Sequence, residues 1–498
     1  MKVECQVKSR GNGKLMDFQK LDVEGCHDFF YFYCNAIVSK NTDFTMNPFY
    51  INRRAFLKTS SASLAVSMLG LSGLDALFPE KNYRVGLIGA GWYGKSDLCR
   101  LIQVSPVEVV AICDADQHML DGAIELISQR QISHKKPVGY RDYRKMLAEQ
   151  ELDIVLIGTP DHWHALTAIA AMKAGAHVYV QKPISVDVLE GEAMVAAARK
   201  YKRTVQVGLQ RRSTPHLMDA KAKIVDAGML GKISHVELCC YYHMRSNDNP
   251  PVQPVPDFFD YETWTGPAPM RPFLGLPHRG WRTYIEYGNG IVGDMCVHMF
   301  DATRWLLGLG WPDRVRSTGG IYVQKGGKST ISDTQTAWFE YPELTCVWTH
   351  RTWGTPADPD YPWAFKIYGE KGTLMGDTMK YDFVPVGRDQ KPVRQDVLYE
   401  REQFPEDLTE KDIELHAAPA TRGQMINFLG AIADGSRPVA DIEEGHISSA
   451  SCILANVSMD LGGRTLAYDP VTKTIPGDAD ATERLARKYR EGWERPTF

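Results

Sequence analysis

Arg84-Val85-Gly86-Leu87-Ile88-Gly89-Ala90-Gly91-Trp92-Tyr93-Gly94 decides the fold of this chain. A short apolar run enters Gly-x-Gly-x-x-Gly, and Leu98, Leu101 and Ile102 then recur at helical spacing. The order is strand, glycine turn, helix. The first glycine permits a tight turn, the second lets main chain approach a pyrophosphate, and the third lets the helix pack closely on the strand. The free N–H groups at the helix start complete an anion cradle. A lone motif of this kind is weak, but here residues 107–113 form a second apolar run that ends in Asp114, twenty residues past Gly94. A carboxylate at that place accepts hydrogen bonds from a ribose 2′-hydroxyl and repels a 2′-phosphate, which favours NAD over NADP. The competing reading makes Asp114 a cap for the next helix.

Working outward, the alternation continues. Residues 153–158 read as a buried strand, 163–173 as a helix, 177–180 as a strand, 186–200 as a helix and 204–208 as extended chain. The fold class is therefore α/β, with an N-terminal Rossmann domain, a doubly wound parallel sheet over residues 79–208. Ligands of such sheets collect at the carboxyl ends of the strands, where Thr159-Pro160-Asp161-His162-Trp163-His164 and Gln181-Lys182-Pro183 stand. Past residue 209 the extended runs lengthen, at 233–242, 314–323, 334–341, 344–352 and 364–368. They predict a C-terminal α+β domain over 209–498 with a large, open, mostly antiparallel sheet. A proline-rich loop, 246–279, interrupts them, and loops of that length often border sites. At its end and just beyond stand His278, Arg279, Trp281, Arg282, Tyr284 and Tyr287, aromatic faces beside hydrogen-bonding groups that suit stacking on sugar rings as well as packing. Residues 421–434 and 443–461 read as helices, the second packing on the sheet. The charged tail, 478–495, reads as a surface helix or arm.

Composition narrows the classes. The 498 residues carry 57 Lys+Arg against 61 Asp+Glu, so there is no basic surplus to neutralise nucleic-acid phosphates. Ten cysteines, without zinc spacing, read as buried small apolar side chains. Asn52-Arg53-Arg54-Ala55-Phe56-Leu57-Lys58 precedes sixteen uncharged residues, 59–74. That stretch is shorter than the roughly 20 residues a membrane-spanning helix needs, whereas a basic head on a modest apolar run suits an export signal. The paired arginines resemble a twin-arginine signal, with Asn52 where Ser or Thr is usual. The signal-like segment is placed at 46–78, starting at Met46, and residues 1–45 form an extension expected to be dispensable. The expected location is periplasmic, with no membrane span in the mature chain.

The ordered series of motifs resembles the glucose-fructose oxidoreductase/inositol dehydrogenase (Gfo/Idh/MocA) family. It runs from Gly89 to Gly94, through Gly158-Thr159-Pro160 with His164, Ala174-Gly175-Ala176-His177-Val178 and Lys182-Pro183, to Val207-Gly208-Leu209-Gln210-Arg211-Arg212 and Gly293-Asp294-Met295-Cys296-Val297-His298. Trp264-Thr265-Gly266-Pro267-Ala268-Pro269 looks like the exported, twin-arginine members. One departure is Gln181, where the family usually has Glu before Lys-Pro, so a carboxylate that could tune or position the lysine is lost.

The resemblance implies that Lys182, Asp294 and His298 are catalytic. It also implies that Gly89, Gly91, Trp92, Tyr93, Gly94, Asp114, Thr159, Pro160, His164, Lys182 and Gln210 bind NAD. Chemically, an ammonium at the rim can stabilise a developing alkoxide, although Lys182 by itself also reads as a surface lysine. Asp294 and His298, four apart in a helix read over 295–307, share a face, which suits a histidine base held near its working pKa. A metal half-site or a helix cap are the alternatives, and no third metal ligand is evident. Asp301 reads as structural. The implied activity is NAD-dependent oxidation of a secondary hydroxyl of a sugar, polyol or glycoside by a homo-oligomer. The alternatives are a glycosidase that works through a transient keto-sugar on bound NAD, and a sugar- or dinucleotide-binding module without turnover.

Overall fold

The computed structural model describes residues 82–241, 245–387 and 390–498, so the extension 1–45 and the signal-like segment 46–78 lie outside the described residues. Six strands, β1 (Arg84–Ile88), β2 (Glu108–Cys113), β3 (Val138–Tyr140), β4 (Ile154–Ile157), β5 (His177–Val180) and β6 (Val205–Val207), form one sheet in the order β3-β2-β1-β4-β5-β6. Every pairing in it is parallel. Ile154, Val155, Leu156 and Ile157 are all buried because helices cover both faces, which is why β4 reads as an unbroken apolar run. The crossovers use the helices Trp92–Val104, Gln117–Arg130, Tyr143–Glu149, His164–Lys173 and Val188–Tyr201. Asp116, rather than Asp114, caps the second of these, its Oδ1 accepting from the main-chain N–H of His118 at 2.8 Å.

The second sheet joins β7 (Ile233–Cys240), β8 (Arg314–Gly320), β9 (Thr334–Glu340), β10 (Thr345–Arg351), β11 (Trp363–Gly369), β12 (Gly372–Gly376), β13 (Lys380–Pro385) and β14 (Val393–Asp396). Their order is β14-β13-β12-β11-β7-β10-β9-β8. Only β7 and β10 run parallel, and the other neighbours are antiparallel. In β9 and β10 every second side chain is buried, since one face packs on the core and the other meets solvent. The buried face takes Phe339, stacked on Phe300 with ring centroids 4.3 Å apart.

Two late elements tie the halves together. The helix Ala418–Asp434 returns to the nucleotide domain, where Met425, Phe428 and Leu429 join the core formed by Val85, Leu87 and Leu98. The helix Ile442–Asp460 packs between β8 and the helix Val188–Tyr201. The charged tail opens with the short helix Ala479–Glu483 and continues as a surface arm, but one anchored by specific bonds. Arg487 N–H donates to Asp187 Oδ2 at 2.8 Å across 300 residues, the Tyr489 hydroxyl donates to Glu190, and Trp493 lies edge-on to Trp163 at 5.0 Å. Arg495 adds an ion pair to Asp187 at 2.6 Å, so carboxylates far back in the chain anchor the tail along the surface. Among the described residues, Cys239 is the one cysteine not fully buried, and no helix is long and apolar enough to cross a membrane.

Candidate active site

The glycine turn, the rim of the first sheet and the inner edge of the second enclose a cavity of about 1160 Å³. The turn is built by close approach of backbone. Gly89 has φ +88°, and a Cβ on Gly94 would lie 2.0 Å from the carbonyl oxygen of Gly89. A Cβ on Gly91 would meet no protein atom within 4 Å, because Gly91 faces the open cavity at the N-terminus of the helix Trp92–Val104. Asp114, at the end of β2, points its carboxylate back at the turn, Oδ2 accepting from Ala90 N–H at 2.7 Å and Oδ1 from Asp116 N–H at 2.9 Å. Burial pushes its carboxyl up to about 6 against those hydrogen bonds.

Lys182 stands two residues past the end of β5 with Nζ 2.5 Å from Asp294 Oδ1 and 2.8 Å from the Asp294 carbonyl oxygen. Arg282 Nε lies 3.2 Å from the other carboxylate oxygen, and its guanidinium stacks on Trp281. Burial works against the charge of Asp294, but Lys182 and Arg282 outweigh it and hold the carboxyl below its ordinary value. Lys182 thus has its carboxylate in Asp294. Gln181 turns the other way, its Nε2 donating to the buried Asp97 at 2.7 Å, so the position that lost a carboxylate does not face the lysine.

The helix read over 295–307 begins instead with a π-helical turn, Val292–Cys296, and continues as Val297–Leu307. The widened turn swings Asp294 to Lys182, and no hydrogen bond joins it to His298. The expectation that a carboxylate holds His298 near its working pKa is therefore corrected. Burial, with Lys182 and Arg211 adding positive charge, pushes the imidazole well below its ordinary range. The ring is neutral at physiological pH, edge-on to Trp363, with Nδ1 buried and unpartnered. Asp301 is structural, accepting from Arg212 at 2.8 and 2.9 Å and from Ser448 at 2.7 Å.

The other expected residues gather on the same cavity. Trp92 lies under the Arg279 guanidinium at 4.1 Å, and the Tyr93 hydroxyl accepts from Gln210 Nε2 at 2.6 Å. Gln210 Oε1 and Thr159 Oγ1 are buried without partners. His164 borders the cavity, but its ring nitrogens lie 2.7 Å from the Pro183 carbonyl and 3.0 Å from the Thr159 carbonyl, so it spaces the two rim loops. Burial pushes it down to about 4. Two lining residues escaped sequence reasoning as chemical groups, Asp161 and Arg211. Both lie inside quoted motifs, but their signal is charge buried beside Asp294 and His298, which spacing does not display.

These residues fit a dinucleotide. Gly91 leaves the main chain open for a pyrophosphate at a helix start, Asp114 offers carboxylate oxygens for ribose hydroxyls, and Thr159 and Gln210 present unsatisfied oxygens further along the cavity.

Comparison with known proteins agrees with this fold. Residues 83–209 match the oxidoreductase family, NAD-binding Rossmann fold, of the GFO/IDH/MocA type, and residues 262–375 match the GFO/IDH/MocA C-terminal domain. A glycosyl hydrolase family 109 protein of Shewanella pealeana is 31% identical over 219 residues, 39% of this chain and 47% of that protein. An alpha-N-acetylgalactosaminidase of Shewanella oneidensis is 32% identical over 182 residues, 35% of this chain and 39% of its own length. The matched stretch thus spans less than half of either relative. A levoglucosan dehydrogenase solved with NADH and levoglucosan has the same fold, with TM-score 0.58 and 18% identity, covering 78% of this chain and 99% of its own.

Proposed function

We propose that this chain, which carries both domains of the Gfo/Idh/MocA oxidoreductases, oxidises a secondary hydroxyl of a sugar, polyol or glycoside with NAD as its cofactor. The observation that carries the reading is the cavity between the glycine turn and the second sheet, where a neutral His298 and a Lys182–Asp294 pair face the same space. The dinucleotide supplies the hydride acceptor. Gly89, Gly91 and Gly94 with the helix start hold its pyrophosphate, Asp114 its ribose, and Thr159, Pro160, Gln210, Trp92 and Tyr93 border the remainder. His298 takes the hydroxyl proton, which a neutral imidazole can do and an imidazolium cannot. Lys182, fixed by Asp294, donates to the same substrate oxygen and stabilises its developing negative charge. Arg282, Trp281 and Trp363 border the substrate's space.

The names of the two Shewanella relatives favour a second reading, a glycosidase in which the sugar is oxidised only transiently and the hydride returned. Both readings share their first half-reaction. Export through a twin-arginine route, after folding, and assembly into a homo-oligomer belong to the same proposal. Outside the cytoplasm a chain that released its cofactor at each turnover would stall, so the nucleotide must be carried out bound and recycled in place. The purified mature protein is expected to hold close to one NAD(H) per chain and to act without added cofactor, as nucleotide released on denaturation will measure. An empty protein that needs added NAD and accumulates NADH contradicts internal recycling and leaves a conventional dehydrogenase.

Asp114 gives a prediction of its own. Its carboxylate is charged above about 6 and protonated below, so the acceptor strength is present above that pH and lost as pH falls through it. NAD affinity should decline across that window, and Asp114→Asn should remove the pH dependence. That variant should also bind NAD roughly tenfold or more weakly, as loss of a charged hydrogen bond of ~1.5–3 kcal/mol implies. Titration calorimetry across the window, with NAD and NADP, measures both. A flat parental profile contradicts the ribose assignment.

A further inference from the structure

Asp161 opens the one-turn helix Asp161–Trp163 just past β4. It is 3% exposed and borders the cavity, and among the described residues its carboxyl has no hydrogen-bond or ion-pair partner. A buried carboxyl in that condition is costly unless it keeps its proton or meets a ligand. Its position is fixed by its surroundings. Gly288 leaves it room, since a Cβ there would lie 3.1 Å from Asp161 Oδ2. Trp163, two residues on, donates Nε1–H to the Trp264 carbonyl at 2.8 Å and is backed by Trp493 of the C-terminal arm.

The charged groups that face Asp161 come from four parts of the chain: Asp294 from the π-helical turn, Lys182 from the end of β5, Arg282 from the aromatic loop and Arg487 from the C-terminal arm. Burial and the Asp294 charge push the Asp161 carboxyl well above its ordinary value, against the three cations. Two carboxyls on one cavity are thereby split. The surroundings favour the ionised form of Asp294 and the protonated form of Asp161, the condition in which one acts as counter-charge and the other as acid. Oxidation of a hydroxyl needs the lysine, the imidazole and the counter-charge, and leaves the protonated carboxyl without a task.

We propose that Asp161 is the proton donor to a departing substrate oxygen, so that this site cleaves a glycosidic C–O bond. The proposal rests on the second reading above. Once the neighbouring carbinol carbon is at the ketone level, a base removes the proton from the carbon between ketone and glycosidic carbon, and that electron pair forms a C=C bond. The C–O bond breaks with its pair going to oxygen, which takes the Asp161 proton and leaves as an alcohol. Water then adds across the C=C bond. Its hydroxyl goes to the glycosidic carbon, the Asp161 carboxylate takes back a proton, and the other carbon regains the one it lost. Return of the hydride to the ketone completes the cycle without net oxidation.

The test compares the methyl and para-nitrophenyl α-glycosides of N-acetylgalactosamine, with the NAD-loaded protein and its Asp161→Asn variant in deuterated water. Asn keeps the shape and an N–H donor but has no proton to give. The variant should cleave the methyl glycoside ~10²–10⁴-fold more slowly, whereas in the first turnover it should release para-nitrophenolate, a leaving group that needs no proton, close to the parental rate. It should still exchange solvent deuterium into the carbon beside the ketone, which shows that it folds, binds and oxidises. The parental rate on the methyl glycoside should fall at high pH as Asp161 ionises, a limb absent from the variant. An equal loss on both glycosides, or no loss on either, overturns the assignment of Asp161 while leaving the oxidation intact. Absence of both cleavage and exchange in the parent overturns the glycosidase reading itself, and this proposal with it.

Discussion

Lys182→Ala and His298→Ala are each expected to cut turnover by ~10² or more, the usual loss on removing a general base or an oxyanion partner, while the nucleotide is still bound. The two variants fail for different reasons. Without Lys182, the Asp294 carboxylate loses its partner at 2.5 Å and keeps Arg282 alone. Charge that develops on the substrate oxygen then meets a carboxylate in place of an ammonium. Without His298, the hydroxyl proton has no acceptor. Its Nδ1 has no partner among the described residues, so its removal strands no polar group there and the fold should survive. Steady-state rates on the responsive sugar, with nucleotide content measured on the same samples, check both. Near-parental turnover in either variant moves the chemistry elsewhere in the cavity.

Gly94→Ala and Gly91→Ala should separate two kinds of failure at neighbouring positions. A methyl group on Gly94 meets the Gly89 carbonyl at 2.0 Å, and Gly158, whose own Cβ would lie 2.6 Å from Gly94 Cα, closes the other side. Nothing flexible is available to yield. The turn must open, at a cost of about 1–3 kcal/mol or more, and both thermal stability and nucleotide affinity should fall. A methyl group on Gly91 meets no protein atom, so the free protein should melt as the parent does. It occupies the space assigned to the pyrophosphate, and affinity for NAD should fall by at least as much as in Gly94→Ala. Thermal melts with and without NAD distinguish these outcomes. Parental NAD affinity in Gly91→Ala contradicts the placement of the cofactor.

The strand–turn–helix at residue 84 was legible because local chemistry and tertiary structure demand the same residues there. β1 and β5 begin and end where the apolar runs do, and Lys182, Asp294 and His298 border one cavity. The sequence reading stopped where a neighbour far along the chain decides. β12 escaped it because Gly372 and Gly376 blur the alternation, and β14 because its side chains are mostly exposed. Helical spacing placed Asp294 with His298, but a single π turn reassigned it to Lys182 and Arg282. The tail reads as a surface helix or arm, and what the spacing does not display is its anchoring, since Arg487 N–H and the Tyr489 hydroxyl meet Asp187 and Glu190 only in three dimensions. Asp161 was quoted as part of a rim motif and passed over, since its meaning lies in burial without a partner.

Oxidation of a carbohydrate carbinol at this cavity is the central claim, and mass spectrometry of products formed from mixed sugars and glycosides in deuterated water tests it most directly. A ketone acidifies the carbon beside it, so a substrate that is oxidised and enolised here, for good or in passing, acquires solvent deuterium at that carbon. The account predicts such a product, either a keto-sugar or a cleaved sugar with deuterium next to the carbon that was oxidised, and its disappearance in His298→Ala. Recovery of every sugar and glycoside unoxidised and without deuterium, by a protein shown to hold NAD, would contradict it.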